Sequence, residues 1–154
     1  MLYITLIYTN MNTKIHKNSL LHAKLSFSIQ GCIFEIRKQY GPGQKEVLYQ
    51  RLLEEKLGKA GLSAVREQKI RIYSQDSGKM MGYYQPDLVV EDKIIIEVKS
   101  SRFTNQLDEK QLYHYLRNSS YELGYLVNFS TPRLYLKRII YTNDRKPHLT
   151  IRVN

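Results

Sequence analysis

The hexapeptide Ile94-Ile95-Ile96-Glu97-Val98-Lys99 constrains the fold more than any other part of this chain. It is mostly β-branched, which favours a strand, and apolar enough on both faces to read as a central one. Side chains two apart share a face. Ile95, Glu97 and Lys99 therefore lie on one side, with Ile94, Ile96 and Val98 on the other. Two charges thus stand on an otherwise apolar strand. Burying charge is costly unless it is paired or bound to metal. Two readings follow: a solvated Asp–Lys–Glu cluster on an exposed sheet face, or a site.

The preceding strand-like segment carries Asp87. In an antiparallel pair, directly opposed residues share a face. A three-residue loop, Glu91 to Lys93, sets Asp87 opposite Glu97, whereas a two-residue loop would set it opposite Ile96 and part the carboxylates. A metal site here therefore requires an odd loop or a bulge. Two carboxylates beside a lysine suit Mg²⁺, a hard cation that keeps several waters. Such an ion lowers the pKa of a bound water and neutralises charge on a phosphate oxygen. Lys99 would orient or help deprotonate that water, or stabilise the pentavalent phosphorane, and the Val98 carbonyl offers a further ligand.

Two helical positions are candidates for the same site. Glu46 is seven residues before Leu53, so it lies about 20° from it on the helix, at the edge of an apolar stripe. It equally fits a first-turn glutamate favoured by the helix dipole. Gln111 has Leu107 and Tyr115 at i−4 and i+4, which leans it inward. It could bond a phosphate, a water or Lys99, or cap a backbone group.

The rest of the chain reads as alternating segments. Apolar residues at helical spacing run from about 20 to 39 through Leu25, Ile29, Cys32, Ile33 and Ile36. Gly41-Pro42-Gly43 breaks that helix, and a second runs from about Gln44 to Lys59 through Tyr49, Leu52, Leu53, Leu57 and Ala60. Gly61 closes it. Strands are expected over 65–73, 79–90 and 94–100, with a turn at 74–78 and the polar turn at 91–93. A helix over 107–118 follows, with Leu112, Tyr115 and Leu116 inward. Strands at 123–129 and 134–141 come next, then an edge strand in the tail from His148 to Val153. Short turns make the three strands an antiparallel meander, and the later helix crosses over to a strand pairing with the third. The fold class is a mixed α/β (α+β) sheet flanked by helices.

The charge is +10, from 24 Lys and Arg against 14 Asp and Glu. That excess attracts polyanions. No long amphipathic helix concentrates it, which disfavours a membrane partner. Residues 1–24 read as an N-terminal extension and 25–154 as one domain. Met1 to Tyr8 is too short to span a bilayer and lacks signal-peptide features, and Met11 is an alternative start. The single cysteine, Cys32, reads as packing in a reducing compartment such as the cytoplasm. His16, His22, His114 and His148 have no zinc-site spacing, and no phosphate-cradling loop is visible. Some of the 13 tyrosines must be exposed, which leaves room for a homodimer.

Gly43-Gln44-Lys45-Glu46-Val47-Leu48-Tyr49 resembles the pattern that names the GxxExxY protein family. Gly31 to Gly43, Gln50 to Leu57, Gly82 to Lys99, Gln111 to Leu116, Leu123 to Phe129 and Lys137 to Ile140 are similar to the same family, in the same order. The likeness spans roughly residues 25 to 141. That family sits in the PD-(D/E)XK nuclease-like superfamily, whose signature Pro86-Asp87 and Glu97-Val98-Lys99 reproduce. The resemblance implies a restriction-endonuclease-like α-β-β-β-α-β core and Mg²⁺-dependent phosphodiester hydrolysis, and it implies no substrate. The first expectation is a nuclease acting on nucleic acid, DNA in particular, with Mg²⁺ or Mn²⁺. The resemblance also implies metal ligation by Asp87 and Glu97, a water-assisting Lys99, and Glu46 completing the site from the first core helix. Gln111 falls where related nucleases carry a helical glutamine. The alternative is a non-catalytic nucleic-acid-binding or protein-interaction module on the same fold.

Overall fold

The computed structural model describes residues 20–150. The expectations for residues 1–19, including Met11 as a start, and for positions 151–153 of the tail strand lie outside them. Helix α1 spans Ala23–Tyr40 and α2 spans Glu46–Lys59. Five strands follow: β1 Ala64–Arg66, β2 Ile70–Tyr73, β3 Met80–Tyr84, β4 Leu88–Val90 and β5 Ile94–Lys99. Helix α3, Gln106–Asn118, then leads to β6 Leu123–Asn128 and β7 Tyr135–Ile140, and a short helix α4 covers Pro147–Thr150. Among the described residues no helix is long and apolar enough to cross a membrane.

The main sheet has the order β1-β4-β5-β6-β7, and β2 and β3 form a separate hairpin. β5 runs parallel to β6 and antiparallel to β4. The hexapeptide is therefore the central strand, with α3 as the crossover that a parallel neighbour requires. Mixed sheet and flanking helices match the expected architecture.

The meander is corrected in two places. The segment 65–73 is two strands in two different sheets, because Glu67 adopts a left-handed φ of 54° between them and breaks the extended backbone. The segment 79–90 is likewise two strands, parted at Gln85-Pro86-Asp87. Proline has no N–H to extend a ladder, so pairing stops there. In the tail, Pro147 opens a helical turn instead of an edge strand, which suits a residue with φ fixed for a first helical position.

Each face of the main sheet is covered by helix. On one, Ile29, Ile33 and Ile36 of α1 and Tyr49, Leu53 and Leu57 of α2 pack on Leu88, Val90, Ile94, Ile96, Val98, Tyr125 and Val127. Tyr49 stacks on Phe129 with ring centroids 4.4 Å apart. Ala60, expected on the α2 stripe, is exposed. On the other face, Leu112 and Leu116 of α3 pack with Val89, Ile95, Leu126, Ile70 and the buried tyrosines Tyr84, Tyr121 and Tyr141. Gly124 lets α3 approach closely, since a Cβ there would come within 2.9 Å of the Leu112 side chain.

Candidate active site

The loop between β4 and β5 sets the site. It has three residues, Glu91 to Lys93, and the register pairs Leu88 with Ile96 and Val90 with Ile94. One step further, Asp87 faces Glu97, as the odd loop length requires. Glu91 and Asp92 both hold left-handed φ, at 53° and 49°, a conformation that is disfavoured for side chains with a Cβ. Contacts hold them there. The Glu91 N–H donates to the Ser63 carbonyl at 2.8 Å, the Ser63 N–H donates to the Glu91 carboxylate at 2.6 Å, and the Tyr121 hydroxyl bonds Asp92.

β5 runs on past the start of β4, so Glu97, Val98 and Lys99 have an open flank. Asp87 fills its near end. One carboxylate oxygen accepts the Val98 N–H at 2.7 Å, and the other accepts from the Gln50 amide of α2 at 2.9 Å. Asp87 thus meets α2 at this flank. Gln50 stands one turn beyond Glu46 on α2. The Glu46 charge acts on Asp87, Glu97 and Lys99 alike.

Glu97 lies on the α3 face, where the Tyr84 hydroxyl bonds its carboxylate. Tyr84 stacks on Tyr115, with centroids 3.3 Å apart, and the Tyr115 hydroxyl accepts from the Gln111 amide at 2.7 Å. Gln111 is thus tied to Glu97 through two tyrosines. It is exposed and directed at Tyr115, a correction to its expected inward lean, because the apolar interior beside it is filled by Leu112 and Leu116. Lys99 pairs with Asp108 in the first turn of α3, at 3.8 Å.

Burial dominates the electrostatics. It pushes the Glu97 carboxyl up to about 7, against the attraction of Lys99. It also raises Asp87, against the stabilising Val98 N–H. Burial alone would lower Lys99, but the carboxylates of Asp108, Glu46, Glu97 and Asp87 together hold its ammonium above the ordinary value. Two desolvated carboxyls are of the type that a divalent cation favours in their charged forms. Among the described residues, however, no group of three or more His, Cys, Asp or Glu side chains is drawn together closely enough to hold one. Glu46 does not close a carboxylate triad with Asp87 and Glu97.

Sequence reasoning missed Gln50, Tyr84 and Asp108. Only Gln50 had a local signal, its i+4 spacing from Glu46. The other two meet the site through tertiary packing.

No curated protein matches the chain. A solved structure titled "Crystal structure of SSO0001" aligns with 97% of this chain and 80% of its own, at 20% identity and a TM-score of 0.46. Residues 23–139 match the family description of the PD-(D/E)XK nuclease superfamily. That span runs from the first turn of α1 to the end of β7 and takes in Asp87, Glu97 and Lys99, so the chain belongs to that superfamily.

Proposed function

We propose that the protein is a metal-dependent nuclease that hydrolyses phosphodiester bonds, with DNA as substrate and Mg²⁺ or Mn²⁺ as cofactor. Membership of a nuclease superfamily implies nucleic acid as the partner. The observation that supports the reading is the register: continued by one residue from the Leu88–Ile96 pair it sets Asp87 across from Glu97, with Lys99 on the same side of β5 as Glu97.

Asp87, Glu97 and the Val98 carbonyl would hold the cation, with Glu46 supporting it from α2. Continuing the register, Val98 faces Pro86. Proline has no N–H to offer, which leaves that carbonyl without a ladder donor from β4. A bound divalent cation would supply an acidified water and neutralise charge on a phosphate oxygen. Lys99, kept protonated by its carboxylate neighbours, is suited to orient the attacking water or bind a phosphate oxygen by donation. Tyr84 orients Glu97, and Gln50 orients Asp87. Gln111 contributes through Tyr115, or directly by donating to substrate.

Within the superfamily, we assign the chain to the GxxExxY family. The fold explains two letters of that pattern. Gly43 holds a left-handed φ of 92°, and the Tyr49 hydroxyl bonds the Gly41 carbonyl at 2.6 Å. Among the described residues nothing hydrogen-bonds or pairs with the Glu46 carboxylate, which suits a role in chemistry. Residues 25–154 would form one domain working in the cytoplasm, with Cys32 buried as a free thiol.

The test incubates purified protein with plasmid, single-stranded DNA and RNA, in Mg²⁺, Mn²⁺ or EDTA, beside Asp87→Ala and Lys99→Ala. Metal-dependent cleavage absent from both variants supports the enzyme. Equal cleavage by all three proteins would sink it. A second reading, a nucleic-acid-binding module without catalysis, is favoured by the unclosed carboxylate group and by the bonds that engage Asp87 and Glu97. It predicts binding that weakens steeply with salt and no cleavage by any of the proteins.

A further inference from the structure

Phe103 follows Lys99 by four residues, and its side chain is 76% exposed. Leaving a phenylalanine in water forgoes about 2 kcal/mol of burial, so the position calls for an explanation. A floppy loop would explain it, but the loop is pinned. Asn128, 2% exposed and opposite Lys99 in the parallel register, accepts the Ser101 N–H at 3.1 Å. Its amide donates to the Phe103 carbonyl at 3.3 Å and to the Ser101 hydroxyl at 3.0 Å. The Ser101 hydroxyl in turn donates to the Phe103 carbonyl at 2.8 Å. A buried asparagine, which also accepts the Ser130 N–H at 3.1 Å, thus fixes the backbone that presents an aromatic residue to solvent.

The surroundings say what that ring is for. The far end of the loop is fixed by Asn105, which caps α3 by accepting the Leu107 N–H at 2.9 Å, and by Asp108, which pairs with Lys99. Leu107 is itself 65% exposed. The Arg102 guanidinium lies 5.8 Å from the Phe103 ring centroid. The loop and helix start that follow Lys99 therefore present an exposed apolar ring with a cation near it, and a second exposed apolar side chain. An unpaired nucleobase matches that set: its flat face stacks on an aromatic ring whatever its sequence, and its phosphate meets a basic side chain. A paired base inside a duplex offers no such face.

We propose that Phe103 is a stacking platform for an unpaired nucleobase beside the scissile phosphate. The substrate class is then nucleic acid with a single-stranded stretch, a flap or a frayed end at the site. The inference rests on the nucleic-acid reading above but does not need catalysis. Arg102 steers the adjoining phosphate, and Leu107 shields the stacked base from water.

The test measures binding in EDTA, where cleavage is suppressed, by fluorescence anisotropy of the full chain with a labelled flapped duplex and with a blunt duplex of the same length. Phe103 makes no core contact, so Phe103→Ala should fold normally. It should weaken flap binding roughly tenfold, the size of one base–aromatic stack, and leave blunt-duplex binding unchanged. Phe103→Trp should restore the flap affinity. Equal loss on both substrates, or loss on neither, overturns the proposal. So does an unchanged DNA affinity accompanied by a change in self-association on sedimentation, which would make the ring a protein contact. If the stacking contrast holds and no metal supports cleavage, the nuclease reading fails and the platform stands. If wild type cuts DNA but Phe103→Ala keeps its preference for flaps, the reverse is true.

Discussion

The two faces of the central sheet are built on different terms. The face under α1 and α2 is lined by aliphatic residues and the Tyr49–Phe129 stack, and Ile94, Ile96 and Val98 supply its floor. The face under α3 shares the same strands, but its packing runs through tyrosines, and at the end of β5 it gives way to Glu97 and Lys99. One strand thus serves the dry core with its even-numbered residues and, from Glu97 onward, presents ionisable side chains with its odd ones. The difference teaches that alternation along a strand can keep an ionisable site and a dry core within one residue of each other. The site then costs the core little, because its charges stand where β4 has ended and water or substrate can reach them.

The sharpest way to break that comparison is to substitute one residue from each face. Phe129→Ala removes a fully buried ring from the stack on Tyr49 and should lower unfolding free energy by about 3–5 kcal/mol, read by urea denaturation. Lys99→Ala should leave stability within about 1 kcal/mol of wild type, because its ion pair with Asp108 is partly exposed. Its cleavage rate should drop by a factor on the order of 10²–10⁴. If Lys99→Ala unfolds the protein as Phe129→Ala does, the two faces are not divided by role.

A milder probe acts on the α3 face alone. At Gly124→Ala the new Cβ would meet Leu112 at 2.9 Å, an overpacking that should cost about 1–3 kcal/mol. Because α3 also carries Asp108 and Gln111, the shift should slow cleavage as well as lower the melting temperature. A variant that loses stability and keeps full activity would show that the seat of α3 does not position the site.

The division was legible in the sequence only where it rests on local periodicity. β-branching fixed Ile94–Lys99 as central, and the helical spacing of Ile29, Ile33 and Ile36 gave the buried side of α1. The parity of the loop at Glu91–Lys93 was enough to state which residue must face Glu97, and the register agrees. Breaks of direction were not legible. Ile70 and Ile72 alternate as any strand does, so nothing local told that Glu67 turns the chain out of the main sheet into the β2–β3 hairpin. The partners of the site were hidden for a similar reason. Tyr84 and Asp108 reach Glu97 and Lys99 through the packing of the hairpin and α3, and spacing along the chain carries no trace of that. The tail misled because a few residues after Pro147 are too short for periodicity to separate a turn of helix from an edge strand.

Titration sharpens the contrast further. Glu97 is held near 7 by burial, above the unfolded value of 4.5. Between those values the folded chain holds a proton that the unfolded chain has lost, so stability should fall as pH rises from 4.5 to 7 in EDTA. The loss should amount to about 3 kcal/mol at most, given 1.36 kcal/mol for each pKa unit. Glu97→Gln should flatten this part of the profile, since it carries no ionisable proton. Added Mg²⁺ should raise the melting temperature more at pH 8 than at pH 6, because ligation needs the ionised carboxylate. An identical Mg²⁺ effect at both pH values, or in the Glu97→Gln variant, would remove Glu97 from the ligand set.

The smallest effect should come from Tyr84→Phe. The ring stays stacked on Tyr115, so packing is kept and only the hydroxyl bonded to Glu97 is lost. A donated hydrogen bond favours the charged carboxylate, so its removal should move the Glu97 transition higher and extend the falling limb of the stability profile above pH 7. The stability change itself should be about 1 kcal/mol, the usual net worth of one hydrogen bond. If Tyr84 positions Glu97 as the geometry implies, the pH at which cleavage is half-maximal should rise in step with the stability profile, while Lys99→Arg, which keeps the charge, should leave it in place. A Tyr84→Phe variant with an unaltered pH profile would mean that the hydroxyl merely fills hydrogen-bonding capacity on the tyrosine-rich face. The link from Gln111 through Tyr115 and Tyr84 to Glu97 would then be packing alone.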